Sequence, residues 1–278
     1  MTLFLIILCI LVFIMVGVII FDSNRFVMRE YTVVSDKLDK DRDVLFLSDM
    51  HCTEYGKDNE KLINKLNSLE FDACFLAGDM ITAVKDHSVE PAVKLINELA
   101  NRCPVFYSYG NHELRASVYK ETYGEMFSNL TENISVSLMN NAKATFEDID
   151  VFGLNIEPKF YHRFKKNSLS KEQVYDYVSK PDKERFSVLL AHNPEYFDTY
   201  AEASFDLVLS GHVHGGIVRI PFSKGLVSPR YRLFPKYDGG EFKKGTSVMI
   251  LNRGLGMHTI RLRMFNPAEI VLIHLKKD

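Results

Sequence analysis

Gly211-His212-Val213-His214-Gly215-Gly216 follows directly on an apolar run, Phe205-Asp-Leu-Val-Leu-Ser210, and its reading decides the fold. Two histidines one residue apart point the same way if the strand persists, because strand side chains alternate with a period of two. The flanking glycines remove side-chain bulk and permit positive φ, so the backbone can turn sharply beside a ligand. An isolated His-x-His more often decorates a strand end than binds a metal. This one has company. Four other places set polar, metal-competent residues immediately after an apolar run: Asp49-Met50-His51, Gly78-Asp79, Gly110-Asn111-His112-Glu113 and Ala191-His192-Asn193.

Working outward, Phe26 to Val34 mixes apolar and charged residues and is expected as an edge strand. Asp43 to Leu47 reads as a short strand delivering Asp49 and His51 at its C-terminal end. Asn59 to Leu69 puts Leu62, Ile63, Leu66 and Leu69 on one helical face. The run Phe71 to Ala77 then delivers Asp79, Pro91 to Ala100 has helical spacing with proline near its start, and Val105 to Tyr109 delivers Asn111 and His112. Three strand–motif–helix units in series predict an α/β sheet with its functional residues at the strand C-termini, where open α/β sheets bind ligands. Beyond Ile134 the texture turns to strands: Val136 to Leu138, Thr145 to Leu154, Ser187 to Leu190 and Leu207 to Leu209, with a helix around Val174 to Val178. Ser247 to Leu251, Ile260 to Met264 and Ile270 to Leu275 are expected as strands that complete the chain. The aromatic, basic segment Pro158 to Lys166 is a solvated surface loop or, alternatively, a lid that touches substrate or lipid headgroups.

Thr2 to Phe21 carries no charged residue, and twenty apolar residues span about 30 Å as a helix, the thickness of a bilayer core. A signal peptide would begin with basic residues and end in a small-x-small site, and neither is present. A retained single-pass anchor over 1–21 is therefore expected, followed by a tether and edge strand over 22–42 and one domain over 43–278. Arg25, Arg29, Lys37, Lys40 and Arg42 all follow the span, which leans the domain toward the cytoplasmic side. A net charge of -2 gives no basic footprint for nucleic acid. The four cysteines, Cys9, Cys52, Cys74 and Cys103, form no C-x-x-C pair, so buried or reduced thiols are expected rather than a cysteine zinc site.

Asp49, His51, Asp79, Asn111, His192, His212 and His214 are all oxygen or imidazole donors. That set suits manganese, iron or zinc. Seven donors are too many for one catalytic ion with an open position, and about right for two ions sharing a carboxylate. Phosphate-ester cleavage is the chemistry that most needs such a pair, because its uncatalysed rate is among the slowest known. His87, His162, His258 and His274 stand in no motif and are expected at the surface or in the core.

In order, Asp-x-His, Gly-Asp, Gly-Asn-His-Glu, a lone His and Gly-His-x-His form the pattern of the calcineurin-like metallophosphoesterases, which the chain resembles from about Asp43 onward. Gly211 to Gly216, Asn252-Arg-Gly-Leu-Gly256 and Arg263-Met-Phe-Asn-Pro-Ala-Glu269 are similar to the membrane-associated bacterial branch, which includes UDP-diacylglucosamine hydrolases. The resemblance implies a four-layer α/β/β/α sandwich, one metal held by Asp49, His51, Asp79 and His214, and a second held by Asp79, Asn111, His192 and His212. It implies His112 beside the site, acting on the phosphoryl oxygens or the leaving group. The implied substrate is a phosphodiester, a phosphomonoester or a pyrophosphate; the apolar span and the aromatic, basic segment point to a lipid-linked or membrane-surface one, with a soluble nucleotide or wall phosphate as the rival. Thr82 stands where many members carry a second aspartate, which puts the support of the ligands in question. Members that have lost ligands serve as protein-binding scaffolds, the alternative to an enzyme.

Overall fold

The computed structural model describes residues 2–84, 87–116, 123–125, 129–130, 132–162, 167–216, 218–219, 225–227, 233–257 and 262–278. It opens with α1 (Thr2–Ser23), whose one buried residue is Asp22. Then come β1 (Phe26–Ser35), β2 (Arg42–Leu47), α2 (Glu60–Asn67), β3 (Ala73–Ala77), α3 (Glu90–Ala100), β4 (Val105–Ser108) and α4 (Asn111–Ala116). The second half holds β5 (Val136–Met139), β6 (Ala142–Phe146), β7 (Ile149–Leu154), α5 (Lys171–Val178), β8 (Phe186–Ala191), α6 (Phe197–Glu202) and β9 (Leu207–Ser210). The chain ends with β10 (Val218–Arg219), β11 (Gly225–Val227), β12 (Gly240–Lys244), β13 (Ser247–Leu251) and β14 (Ala268–Lys277).

Two six-stranded sheets, in the orders β1-β14-β2-β3-β4-β5 and β12-β13-β9-β8-β7-β6, make the body of the fold. Alternation along the central strands gives each sheet two apolar faces. In β2, Val44 and Phe46 join Val188, Leu190, Leu207, Leu209 and Ile250 in the core between the sheets. Leu45 and Leu47 point the other way, onto Leu62 and Leu66 of α2 and Leu95, Ile96 and Leu99 of α3. On the second sheet, Leu189 and Val208 pack outward against Val174 of α5 and Tyr200 of α6. The result is the expected four-layer α/β/β/α sandwich.

Strands β2 to β5 run parallel, as do β7, β8, β9 and β13, so both sheets deliver their loops to one end. The edge strand expected at Phe26 to Val34 is β1, at the edge of the first sheet and paired with β14 over all ten of its residues. Two expectations need correction. Thr145 to Leu154 is a hairpin rather than one strand: Glu147 takes φ 53°, and β6 folds back on β7. Of Ile260 to Met264, residues 260 and 261 lie outside the described residues, Leu262 and Arg263 are irregular, and Met264 makes one isolated bridge to Val218.

Candidate metal centre

The C-terminal ends of β2, β3 and β4 bring in Asp49 with His51, Asp79, and Asn111 with His112; those of β8 and β9 bring in His192, His212 and His214. Each sheet supplies part of one buried cluster. One ligand atom from each of Asp49, His51 and His214 lies within 4.8 Å of the others; the same holds for His51, Asp79 and His112, and for Asp79, His192 and His212. Asp79 thus belongs to two of the groups. Five of these residues, Asp49, His51, Asp79, His212 and His214, have left-handed backbones with φ from 48° to 72°. Non-glycine residues adopt that region rarely and at a cost, and it clusters at functional sites. Close backbone approach explains two of the flanking glycines. A Cβ at Gly211 would lie 2.1 Å from Asp49 Oδ2, and one at Gly110 would lie 2.3 Å from Asp79 Oδ1.

Hydrogen bonds fix the imidazoles. His192 Nδ1 lies 2.7 Å from Ala77 O, and a carbonyl only accepts, so Nδ1 donates. In the neutral ring the lone pair of Nε2 then faces Asp79 Oδ2 at 3.1 Å. His214 Nδ1 likewise donates to Gly256 O at 3.3 Å, which turns its Nε2 lone pair toward Asp49 Oδ1 at 3.4 Å and His51 Nε2 at 3.2 Å. Lone pairs aimed at carboxylates and at each other repel unless a cation or a proton lies between them. Asn111 Oδ1 is buried without a hydrogen-bond partner, again as a ligand oxygen would be. The residues present therefore fit divalent metal. His112 differs. The backbone N–H of Ala83 donates to its Nδ1 at 2.9 Å, so its Nε2 carries the proton and is a donor, not a ligand atom.

The charges are consistent with this arrangement. Burial pushes the Asp49 carboxyl up to about 7, with Asp79 adding to the rise and His192 opposing it. Burial also opposes the charge of Asp79, yet the imidazoles of His192, His112 and His51 hold it well below the usual carboxylate range. His192, despite its burial, is raised to about 10 by Asp79 and Asp49. Without metal, protons supply the positive charge here.

Sequence reasoning missed three supports. Glu113 is fully buried, and its carboxylate accepts from the backbone N–H groups of Asp79, Met80, Ile81 and Gly110 and from the Tyr107 hydroxyl. The signal was its place in Gly-Asn-His-Glu. Asn266 and Arg263, quoted only as part of a motif, clamp the histidine loop and the neighbouring Arg253 to Gly256 turn respectively. Asn266 Nδ2 donates to His214 O and Gly216 O, and Arg263 donates to the carbonyls of Arg253, Gly254 and Gly256. Tyr161 sets its ring edge-on to His212, with the ring centroids 5.2 Å apart, while its neighbour Phe160 is core. That burial removes Phe160 from any contact with headgroups; residues 163–166 and His258 lie outside the described residues. Thr82 Oγ1 lies 3.3 Å from both His51 Nδ1 and His51 O, so a hydroxyl supports His51 in place of a second aspartate. Cys52 is a packed thiol that burial pushes up to about 11. His274 pairs with Asp43 at 2.7 Å, near the opposite end of the strands.

A buried cradle of carboxylates and imidazoles at the shared end of two facing sheets defines a metal-binding α/β/β/α sandwich. The chain belongs to the calcineurin-like phosphoesterase family, whose model matches residues 43–216. It is 29% identical to an uncharacterized metallophosphoesterase of Campylobacter jejuni, over 90% of this chain and 63% of that one, so it spans under two thirds of that relative's length. An uncharacterized metallophosphoesterase of Bacillus subtilis, YkuE, is 26% identical over 84% of this chain and 78% of its own. The UDP-2,3-diacylglucosamine pyrophosphatase LpxG of Chlamydia muridarum is 24% identical over 83% of this chain and 82% of its own.

Proposed function

We propose that the chain is a dinuclear metal-dependent hydrolase of a phosphodiester, phosphomonoester or pyrophosphate bond. The observation that carries this reading is the position of Asp79, whose Oδ2 lies between His51 Nε2 at 3.9 Å and His192 Nε2 at 3.1 Å, ligands assigned to different ions. Asp49, His51, Asp79 and His214 hold one ion; Asp79, Asn111, His192 and His212 hold the other. Manganese, zinc and iron all suit these donors. A bound pair of such ions supplies the charge that activates a water and neutralises phosphoryl oxygens. His112 holds its proton at Nε2 because Ala83 occupies Nδ1, and it donates that proton to a phosphoryl oxygen or the leaving group. Ala77 O and Gly256 O orient His192 and His214 before any ligand arrives.

α1 serves as the membrane anchor, and the basic residues after it favour a cytoplasmic domain. The lipid-linked substrate named for LpxG makes an amphiphile the favoured substrate class. Elemental analysis after reconstitution with Mn²⁺ or Zn²⁺ is expected to approach two ions per chain. Turnover of at least one of aryl phosphate, bis-aryl phosphate or a UDP-linked lipid is expected alongside. A stoichiometry near zero, or no turnover of any of the three, overturns the reading.

A further inference from the structure

The path of the chain between α1 and the first sheet says where the metal centre stands relative to the anchor. β1 pairs in parallel with β14, Phe26 opposite Ala268, and β14 pairs antiparallel with β2, Val271 opposite Phe46. Continuing the second register brings Ala268 level with Asp49. The first residue of β1 is therefore level with the first candidate ligand, two strand spacings away, or about 10 Å. α1 ends at Ser23, three residues before Phe26, and three residues reach at most about 10 Å. The apolar helix therefore ends within about 20 Å of Asp49, at the same end of the sheet.

Side chains shorten the path further. The Phe26 ring meets Tyr55 edge-on at 5.0 Å, and Tyr55 Oη donates to Leu255 O beside the site. The backbone N–H of Arg263 donates to Ser23 Oγ at 3.1 Å. Arg263 Nη2 in turn donates to Gly256 O, the carbonyl that also receives His214 Nδ1. The last residue of the helix is thus three hydrogen bonds from a candidate ligand.

Surface character agrees. At the helix end, the Arg25 guanidinium sits 4.6 Å from the Phe21 ring centroid, the aromatic–basic combination found at membrane interfaces. Outside α1, the exposed large hydrophobic side chains among the described residues are Val34, Val84, Ile134, Leu233, Phe234 and Phe265. Val84 follows the Asp79 loop. Phe234 bonds to Leu226 of β11, whose partner β10 bridges Met264 beside Phe265. These three stand on loops of the metal end.

We infer that the metal centre forms the membrane-proximal end of the domain and takes phosphate groups of amphiphiles lying in the bilayer that holds α1. This rests on reading α1 as an anchor and the cradle as a phosphoesterase site. A headgroup zone is about 5–8 Å deep, so a phosphate on a group that projects beyond it can meet a centre within about 20 Å of the helix end. A soluble phosphate ester gains nothing from the placement.

The test uses the full chain in phosphatidylcholine–phosphatidylglycerol vesicles carrying a nitroxide lipid at headgroup level. A fluorophore goes on Glu54→Cys, in the exposed loop after β2, or on Glu70→Cys, just before β3 and about 17 Å farther along the strands. Cys9→Ser is the background, because the other three cysteines are buried. The label at 54 is expected to be quenched several-fold more than the label at 70. In a second arm, twenty Gly-Ser residues inserted between Asn24 and Arg25 add about 25 Å of mean reach. Hydrolysis of a vesicle-borne lipid-linked pyrophosphate is expected to fall about tenfold or more while bis-aryl phosphate turnover stays. Equal quenching, or a vesicle rate untouched by the insertion, overturns the inference while leaving the phosphoesterase reading in place. A chain that does not float with vesicles overturns the anchor and the inference together. Preserved quenching contrast with no turnover of any ester overturns the phosphoesterase reading and the substrate half of the inference.

Discussion

Replacing Glu113 by glutamine tests whether a buried carboxylate braces the metal loops. Glu113 Oε2 accepts from Asp79 N and Gly110 N, each at 2.8 Å. Oε1 accepts from Met80 N at 2.8 Å, Ile81 N at 3.3 Å and Tyr107 Oη at 2.7 Å. Glutamine keeps the shape and has one acceptor oxygen. With its amino group at the Oε2 position, the N–H groups of Asp79 and Gly110 meet a donor. With the amide reversed, those of Met80 and Ile81 do, although the Tyr107 hydroxyl can rotate to accept. Two buried N–H groups are stranded either way, at about 1–3 kcal/mol each, so Glu113→Gln should cost about 2–6 kcal/mol. The braced segments carry Asp79 and Asn111, so zinc affinity should fall at least about tenfold as well. Chemical denaturation of the detergent-solubilised chain and a competitive zinc titration measure the two effects. Tyr107→Phe, which removes one donor, should cost less and leave zinc affinity unchanged. A Glu113→Gln stability within about 0.5 kcal/mol of the parent, with unchanged zinc affinity, refutes the bracing argument.

Asp79→Asn should bind little metal at either position and show no turnover, whereas His112→Ala should keep its metal and lose about 10²–10⁴-fold in kcat. Metal loss in His112→Ala, seen by elemental analysis, would make His112 a ligand. The raised His192 pKa gives the metal-free protein a pH signature. Its stabilisation is fully present below the unfolded value near 6.5 and is lost as pH rises through about 10. The metal-free Tm should therefore fall from about pH 6.5 toward about pH 9.5. Zinc affinity should rise over the same range, since binding expels that proton. A metal-free Tm that rises with pH contradicts the assignment.

The strands that carry the site were legible because each is an apolar run stopped by a polar motif, and α2 and α3 because their apolar residues recur on one face. Sheet order was not legible. It depends on β14 entering beside β2 and on β1 closing the edge, pairings between residues more than two hundred positions apart. The hairpin inside Thr145 to Leu154 escaped because Glu147-Asp148 turns without the Asn-Gly or Asp-Gly signal. For the site, the seven candidate donors and His112 were picked out by short motifs after apolar runs, and the fold gathers them at one end of the two sheets. Glu113 stood in one of those motifs, but its role was not legible, because its partners are mostly backbone amides, as many as 34 residues away. Thr82 was read as a missing aspartate, whereas in the fold its hydroxyl already sits against His51.

How the loops survive their own strain connects the fold to the site. Each left-handed residue costs about 1–3 kcal/mol and persists where its surroundings over-determine it. Here the surroundings are loops of one sheet bonded to loops of its neighbour strands and of the other sheet. Asp49 N and His51 N donate to Gly78 O and Asp79 O, and the Asp49 carboxylate accepts the N–H of His212 from across the sandwich. Asn252 ties Phe46 O in the first sheet to the turn at Gly254 through its two side-chain ends. The donors of the first sheet are Asp49, His51, Asp79 and Asn111; those of the second are His192, His212 and His214. The groups that join Asp49 to His214, and Asp79 to His192 and His212, do not exist until Phe46, Phe75, Val188 and Leu209 bring the sheets together. Metal affinity and sheet packing must then be one equilibrium read at two places. A cavity cut into that middle core, well away from any ligand, should weaken metal binding before it unfolds the chain. Val188→Ala, followed by zinc titration and chemical denaturation, checks this, and unchanged zinc affinity in a destabilised chain refutes it.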